Sequence, residues 1–585
     1  MDIRTYLQDG VLLFDGAMGT YYAALGHGGD CETACLTRPE IIYGIHRAYL
    51  EAGAAAVKTN TFGANRVALG ETNCLSVLDA AYLRAKKAAR EAFVFADIGP
   101  IGPEGDAAAE YRFVADRFLE LGAEHFLFET LSGLNGVPET AARIKEANPK
   151  AYVIVSFAAQ PDGFTQTGHL VRDLIETCAA DPNIDAVGLN CVTSAPHMAA
   201  LVETLGPLGK PLCVMPNAGY PTVLGRRTYY QGDPSFFGQQ LWNLASKGAA
   251  MVGGCCGTTP EHIAAAAEAL KTPLPKPVPV ESRKKEKPAE ETGNRFWEAL
   301  CDPARKPVAV ELDPPEAADV TKFMAGAKEL RDSGAAIITI ADCPIARARM
   351  DSSILACKIR RELRMEALPH MTCRDRNLNA TKALLLGLCA EDVHNVLVVT
   401  GDPIPSASRD EVKSVYNFNS RMLARYIRGL NETALPTPFR VFGALNLNAV
   451  NFKVQMDLAH KKAENGVCGF LTQPVLTRQA LENLKTARES LPPEVKLLGG
   501  IIPVVSHRNA VFMNSEVAGI TVDEAVIRRY EGLDRAAGED LAVEISGQVA
   551  RDMAPWVDGF YLITPFGRTG LMARIMEQMR SDGLI

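Results

Sequence analysis

The sequence contains no uninterrupted apolar run long enough to cross a membrane. Its N-terminus, MDIRTYLQDGVLLFDG, lacks the basic region and the following apolar segment of a secretory signal peptide. These absences predict a cytoplasmic protein with no membrane partner. An excess of positive charge is also lacking, since 61 Lys and Arg residues stand against 69 Asp and Glu residues, for a net charge of -8. We therefore expect no nucleic acid among its partners.

A chain of 585 residues is too long for one ordinary core. The stretch from Thr272 to Asn294 begins with four prolines in quick succession and continues with mixed charge, which is typical of a linker. It predicts an N-terminal domain over residues 1–271, a linker over 272–294 and a C-terminal domain over 295–585. Association between copies of the chain is left open.

Each half contains eight short apolar runs separated by segments with helical spacing. The runs begin at Val11, Ala55, Phe93, His125, Tyr152, Ala186, Leu212 and Met251 in the first half, and at Val308, Ile337, Ala367, Asn395, Arg440, Gly469, Leu497 and Phe560 in the second. Eight strands alternating with helices in about 250 to 290 residues predict a (β/α)8 TIM barrel. The α/β fold class thus takes the form of two such barrels, and a doubly wound sheet is the alternative.

Polar residues recur at the carboxyl ends of these runs, where a barrel builds its active site. In the first half they are Asp15, Thr61, Glu129, Asn190, Cys191, Cys255 and Cys256, and in the second they are Glu311, Asp342, His370, Asp402 and Gln473. Two barrels therefore predict two active sites.

Three of the 14 cysteines form a pattern of their own. Cys191 ends the sixth run, and Cys255 and Cys256 end the eighth between two glycine-containing turns. Strands of the same parity contribute to the same barrel layers, so the three thiols can converge. Three thiolates suit Zn²⁺ with one position open, and a substrate thiol could be the fourth ligand. The alternative is that these cysteines are small buried hydrophobic residues, or hold a structural metal.

The first half resembles the homocysteine S-methyltransferase family. The matching segments are FDGAMGT from Phe14, KTNTFGAN from Lys58, FET from Phe128, GLNC and GGCCGT. The resemblance implies zinc on Cys191, Cys255 and Cys256. It also implies that homocysteine is bound by Asp15, Gly16, Thr61 and Glu129.

The residues of the second half by themselves indicate an enzyme barrel without specifying its chemistry. Glu311 ends an apolar strand, where a carboxyl group can have a raised pKa and act as a general acid. The histidine in LPHMTC and the Gly-Asp turn in VVTGDP can equally be structural.

Together the segments VELDPP, LPHMTCRD, VLVVTGDP and KKAENGVCGFLTQP resemble methylenetetrahydrofolate reductase. The resemblance implies that FAD contacts His370, Thr400, Gly401, Asp402 and Lys462. It implies that Glu311 is the catalytic acid, and that Asp402 and Gln473 bind the folate. NAD(P)H is the expected reductant, although Ala341 stands where a flavin-contacting threonine is common. This half contains no GxGxxG segment before a helix, so we expect no separate dinucleotide-binding fold.

Together the two resemblances imply methyl transfer to zinc-bound homocysteine, giving methionine, and FAD-dependent reduction of 5,10-methylenetetrahydrofolate to 5-methyltetrahydrofolate. The methyl donor stays open between S-methylmethionine and 5-methyltetrahydrofolate. The N5-methyl amine of the folate is a poor leaving group, and we find no room for a cobalamin domain. A second reading keeps the methyltransferase and makes the C-terminal half a degenerate, regulatory module that binds folate or flavin.

Overall fold

The computed structural model describes residues 2–102, 104–219, 221–224, 227–230, 232–275, 293–404, 413–516 and 520–585. The chain divides into two compact units, Met1–Lys285 and Glu286–Ile585. Residues 276–292 of the predicted linker lie outside the described part, so the linker boundaries stay a prediction. Within the described residues, no helix combines the length and the apolar character that a membrane span needs.

The first unit is built on eight parallel strands. In chain order its strands are β1 (Leu12–Leu13), β2 (Ala56–Lys58), β3 (Phe93–Ile98), β4 (His125–Leu131), β5 (Tyr152–Phe157), β6 (Ala186–Ser194), β7 (Leu212–Asn217), β8 (Pro221–Leu224), β9 (Arg227–Tyr230) and β10 (Ala249–Val252). The parallel sheet runs β1-β10-β7-β6-β5-β4-β3-β2, and a parallel bridge between Phe14 and Ala56 joins its two edges. Strands β8 and β9 form a separate antiparallel hairpin, which was not predicted from the sequence.

Helices alternate with these strands, as the sequence predicted. They are α1 (Ile3–Asp9), α2 (Gly19–Ala24), α3 (Ala34–Thr37), α4 (Pro39–Glu51), α5 (Arg66–Leu69), α6 (Glu71–Ala89), α7 (Ala107–Glu120), α8 (Val137–Ala147), α9 (Val171–Ala180), α10 (Ala195–Thr204), α11 (Pro234–Ser246) and α12 (Pro260–Ala269). Helix α12 begins at Pro260, because the missing N–H of proline is harmless at the first helical position, and Thr259 precedes it as the N-cap.

The second unit is a closed barrel of eight parallel strands in chain order. They are β11 (Val308–Leu312), β12 (Ile337–Ile340), β13 (Glu366–Thr372), β14 (Asn395–Val399), β15 (Arg440–Leu445), β16 (Gly469–Pro474), β17 (Lys496–Ile501) and β18 (Gly559–Ile563). The helices are α13 (Arg295–Cys301), α14 (Thr321–Asp332), α15 (Ser352–Leu363), α16 (Leu378–Ala390), α17 (Ser420–Thr433), α18 (Phe452–Glu464), α19 (Arg478–Ser490), α20 (His507–Glu516), α21 (Glu524–Arg529), α22 (Arg535–Met553) and α23 (Thr569–Ser581). The predicted pair of eight-stranded barrels is confirmed.

Side chains alternate along each strand between the barrel interior and the helices, because successive residues of a strand point to opposite faces. In the second unit every strand gives one residue to an interior layer, and Phe296 and Leu300 of α13 pack against it. This layer consists of Ala309, Ile337, Leu368, Leu397, Phe442, Leu471, Leu498 and Tyr561. Two residues further along their strands, the same face carries Glu311, Thr339, His370 and Gln473. The fold thus places a polar layer directly above an apolar one.

The first unit follows the same rule. Its interior cluster takes residues from all eight strands of the parallel sheet, and Ile3 of α1 packs among them. Three ionisable side chains lie on the same interior face, each two residues after a member of this cluster. Lys58 follows Ala56, Asp97 follows Phe95, and Glu129 follows Leu127. All three are buried.

Candidate active sites

The three predicted cysteines meet at the carboxyl end of the first barrel. Their sulfur atoms all lie within 4.8 Å of one another, and the sulfurs of Cys191 and Cys256 are 3.7 Å apart. Cys191 and Val192 have φ angles of 59° and 62°, a left-handed conformation that a β-branched residue such as valine seldom adopts. Strained backbone of this kind concentrates at functional sites.

Hydrogen bonds to β7 hold the loop that carries the other two cysteines. The Cys255 N–H donates to the Pro216 carbonyl at 2.9 Å, and the Ala218 N–H donates to the Cys256 carbonyl at 3.0 Å. The Thr258 hydroxyl donates to the Cys255 carbonyl at 2.7 Å. These contacts fix the backbone that carries Cys255 and Cys256 against β7.

The charge distribution of the cluster favours one thiolate. Hydrogen bonds from Cys191 and then Cys255 lower the pKa of Cys256 to about 3, and Tyr230 of the β8–β9 hairpin also donates to it. The same contacts raise the pKa of Cys255 well above its usual range. Among the described residues, no histidine, carboxylate or further cysteine joins the three sulfurs. Three soft ligands without a fourth fit a zinc ion that keeps a position for substrate.

A buried ion pair lies at the same end of the barrel. Lys58 Nζ is 2.7 Å from Asp15 Oδ1, and the Lys58 N–H donates to Asp15 Oδ2 at 3.0 Å. Burial raises the pKa of Asp15, although Lys58 opposes that shift. Burial alone would lower the pKa of Lys58, but the charges of Asp15 and Glu129 raise it above its usual range. Lys58 begins the KTNTFGAN segment, but its pairing with Asp15 was not predicted from the sequence.

Two more carboxyl groups face the ion pair. Burial raises the pKa of Glu129 to about 7. Burial and then the charge of Glu129 raise the pKa of Asp97 well above its usual range, and Asp97 Oδ1 has no hydrogen-bond partner among the described residues. One lysine therefore faces three carboxyl groups, so the site can accept a further cation such as a substrate ammonium.

Asn190 connects this group to the cysteine strand. Its Nδ2 donates to Glu129 Oε2 at 3.2 Å, and its Oδ1 accepts from the Thr130 N–H and the Ser156 hydroxyl, both at 2.8 Å. Thr61, the remaining polar residue predicted for homocysteine, donates its hydroxyl to the Asp97 carbonyl at 2.7 Å.

Gly16, the last residue predicted for homocysteine, is required by close packing. A Cβ atom there would lie 2.6 Å from the Thr258 hydroxyl oxygen and 2.7 Å from the Tyr49 ring. The Tyr49 hydroxyl lies 2.7 Å from the Ala17 carbonyl oxygen and 3.0 Å from that of Thr258, so its single proton is shared between them and links this turn to the cysteine loop.

In the second barrel, Glu311 lies between an aromatic hydroxyl and an imidazole. The Tyr561 hydroxyl makes a short hydrogen bond to Glu311 Oε2, and His370 Nε2 lies 3.6 Å from the same oxygen. Burial raises the pKa of Glu311 to about 7 and lowers that of His370 to about 3. At neutral pH a protonated Glu311 and a neutral His370 are therefore both accessible, which suits Glu311 to act as a general acid.

Three other predicted residues, Thr400, Gly401 and Asp402, directly follow strand β14. Asp402 is exposed and accepts a hydrogen bond from the Ile345 N–H at 2.8 Å. Gly401 has a φ of 95°, a conformation open mainly to glycine. Thr400 lies at hydrogen-bond range from Ser420, at 3.5 Å.

The last two predicted residues, Lys462 and Gln473, lie on helix α18 and strand β16. Lys462 Nζ donates to the Ala444 carbonyl at 3.0 Å, and burial lowers its pKa. Gln473 is half-buried on β16. His370 Nε2 is a buried polar atom without a hydrogen-bond partner among the described residues, and the Gly401 turn exposes backbone for close approach. Both features fit a polar, ring-containing group such as a flavin.

Comparison with known proteins separates the same two parts of the chain. Residues 12–270 match the family model for homocysteine S-methyltransferase, and residues 298–580 match that for methylenetetrahydrofolate reductase. Both are families of enzymes.

Individual relatives align with the first part. Methionine synthase of Mycobacterium leprae is 31% identical over 304 residues, covering 46% of this chain and 25% of that protein. Homocysteine S-methyltransferase of Escherichia coli is 28% identical over 296 residues, covering 44% of this chain and 94% of that protein. The chain thus spans about a quarter of the length of the methionine synthases that it matches. A crystal structure of the metallated E. coli homocysteine methyltransferase MmuM aligns at 25% identity with a TM-score of 0.38, covering 46% of this chain and 99% of that one.

Proposed function

The chain joins a homocysteine S-methyltransferase domain to a methylenetetrahydrofolate reductase domain, and we propose that each domain carries its own active site. The first transfers a methyl group to homocysteine at a zinc ion held by Cys191, Cys255 and Cys256. The second binds FAD and reduces 5,10-methylenetetrahydrofolate to 5-methyltetrahydrofolate, with NAD(P)H as reductant.

The observation that supports the first activity best is the convergence of three cysteine sulfurs within 4.8 Å. A bound zinc ion would supply Lewis acidity that keeps a substrate thiol ionised near neutral pH. The protein itself orients the substrate. The homocysteine ammonium enters the group formed by Asp15, Asp97 and Glu129, where a single lysine does not balance three carboxyl groups and the pKa values of Asp97 and Glu129 are raised. A bound ammonium would lower these pKa values and be paired with the carboxylates that form. This pairing fixes the substrate so that its sulfur reaches the cysteines.

In the second domain, Glu311 acts as the acid. When FAD is bound it would supply hydride, and every proton comes from the protein or from water. A carboxyl group with a pKa of about 7 holds its proton near neutral pH, and can donate it to a bridge nitrogen of the folate so that one C–N bond of the methylene bridge opens. Gln473 and Asp402 lie at strand ends of the same barrel and are proposed to bind the pterin.

The experiment that tests the methyl transfer supplies zinc-loaded protein with homocysteine and one methyl donor at a time, without cobalamin. S-methylmethionine is the preferred donor, because a sulfonium is a better leaving group than the neutral N5 amine of 5-methyltetrahydrofolate. Methionine from the sulfonium alone would make the two domains separate enzymes in one chain. Methionine from the folate would make them consecutive steps of one pathway, and no methionine from either would refute the proposal.

A further inference from the structure

Tyr561 is the polar member of an otherwise apolar interior layer in the second barrel. The seven other strand residues of that layer are Ala309, Ile337, Leu368, Leu397, Phe442, Leu471 and Leu498. Tyr561 is 7% exposed, and burying a phenolic hydroxyl is unfavourable unless it finds a hydrogen-bond partner. Neither the sequence motifs nor the proposed function assigns it a role.

The strand register explains which partner it finds. Strands β11 and β18 are parallel neighbours, and Tyr561 lies directly beside Ala309. Glu311 follows two residues later on the same interior face. A tyrosine side chain is long enough to reach this diagonal neighbour, and its hydroxyl donates to Glu311 Oε2.

We propose that Tyr561 is a positioning residue for the folate reaction, which holds the Glu311 carboxyl in place and sets the pH range over which it carries its proton. The proposal rests on the proposed role of Glu311 as the acid. Tyr561 adds a second residue to this role, because its removal should change the pH range in which Glu311 is protonated while Glu311 itself stays in place.

The surroundings of Glu311 determine the direction of the effect. Burial raises its pKa, the hydrogen bond from Tyr561 lowers it, and the charge of Asp313 raises it. His370, on the other side of Oε2, is neutral at physiological pH because burial lowers its own pKa to about 3. The tyrosine hydroxyl is thus the group that stabilises ionised Glu311. Burial also raises the pKa of Tyr561 well above its usual range, so the tyrosine keeps its own proton.

The test compares Tyr561→Phe with the unmodified protein. The protonation of Glu311 is followed against pH by isotope-edited infrared spectroscopy of the flavin-loaded full chain, and Glu311→Gln identifies the carboxyl band. Loss of one hydrogen bond to the charged carboxylate should raise the midpoint pH of Glu311 protonation by about one pH unit. Folate reduction, which needs the protonated acid, should then persist to a pH higher by the same amount.

Tyr530→Phe is the matched control, because it removes the hydroxyl of another buried tyrosine of this domain, packed among Met513, Val522 and Ile527. It should leave the Glu311 midpoint unchanged. If Tyr561→Phe also leaves it unchanged while the protein stays folded and binds flavin, the positioning role is wrong. If Glu311→Gln itself keeps normal folate reduction, the proposed acid is wrong, which is a separate failure.

Discussion

Lys58 and Asp15 form a buried ion pair, with Nζ and Oδ1 2.7 Å apart at the carboxyl end of the first barrel. The pair changes how the predicted homocysteine site is understood. Because Asp15 already has a cationic partner, we expect a substrate ammonium to interact with several carboxyl groups and not with Asp15 alone. Asp97 and Glu129 are the other carboxyl groups of this site, and burial raises the pKa of each. Asp97 was not among the residues predicted from the sequence.

Lys58→Met should destabilise the first unit strongly. It leaves Asp15 buried without its partner, and breaking a buried ion pair from one side costs about 3–5 kcal/mol. The sequence has three tryptophans, and Trp242 is the one in the first unit. Its fluorescence in a Trp297→Phe, Trp556→Phe background therefore reports the denaturant unfolding of that unit.

The double variant Asp15→Asn, Lys58→Met is the control for the ion pair. Removing both charges should cost less than removing the lysine alone, because no unpaired carboxylate stays buried. Equal costs for the single and the double variant would show that the pair does not determine stability here.

The stability of the first unit should fall as pH rises from about 4.5 to about 7. Burial raises the pKa of Glu129 from 4.5 to about 7, so the folded state binds more protons than the unfolded state in this interval. Unfolding free energy then decreases with pH, by about 3 kcal/mol for this group. Glu129→Gln should make that decrease smaller in Trp242-monitored unfolding, whereas the exposed Glu124→Gln should retain it in full. The part that remains in Glu129→Gln belongs to Asp15 and Asp97, whose pKa values burial also raises. An unchanged slope in Glu129→Gln would assign the whole effect to other groups.

Cys255→Ala should remove the bound metal and methionine formation together. The substitution removes one of the three proposed zinc ligands. Removing a residue that only supports a metal ligand can weaken metal affinity by about 100-fold, and the loss of affinity here should be larger. Metal analysis of the purified protein measures the first effect, and bound flavin should be unchanged. Cys213→Ala is the control, since this buried cysteine of β7 lies outside the sulfur cluster. Zinc retained by Cys255→Ala at full stoichiometry would contradict the proposed ligand set.

Gly401→Ala should weaken flavin binding in the second unit. Alanine is strained at a φ of 95°, and its Cβ would lie 3.1 Å from the Cβ of Arg374 and 3.3 Å from that of Thr372. Gly387 of helix α16 has open space around it, so Gly387→Ala should leave binding unchanged and stabilise the helix by about 0.5–1 kcal/mol. The flavin fluorescence recorded as the protein is diluted gives the dissociation constant of the flavin. Equal affinity in both variants would remove Gly401 from the flavin site.

The sequence predicted much of the fold because buried parallel strands are short apolar runs that end at polar residues. The convergence of Cys191 with Cys255 and Cys256 followed from the parity of their strands, and the sulfur distances agree with it. The doubly wound alternative is excluded by the closed order of β11 to β18.

Other contacts could not be predicted because they depend on register. Tyr561 lies in an apolar run, and its partner Glu311 is 250 residues away in sequence. Likewise, the partner of Lys58 becomes evident only when the strand that follows Ala55 is placed beside Asp15. The β8–β9 hairpin, which brings Tyr230 to Cys256, is an insertion that the repeated strand and helix pattern does not signal.

The most direct test of two independent active sites in one chain is to assay both reactions on Cys255→Ala and Glu311→Gln. Methionine formation from homocysteine and S-methylmethionine, and flavin-dependent reduction of methylenetetrahydrofolate, are measured on each full-length variant. We predict that Cys255→Ala loses only the first reaction and Glu311→Gln only the second. Loss of both reactions in either folded variant, or of neither, would contradict the account.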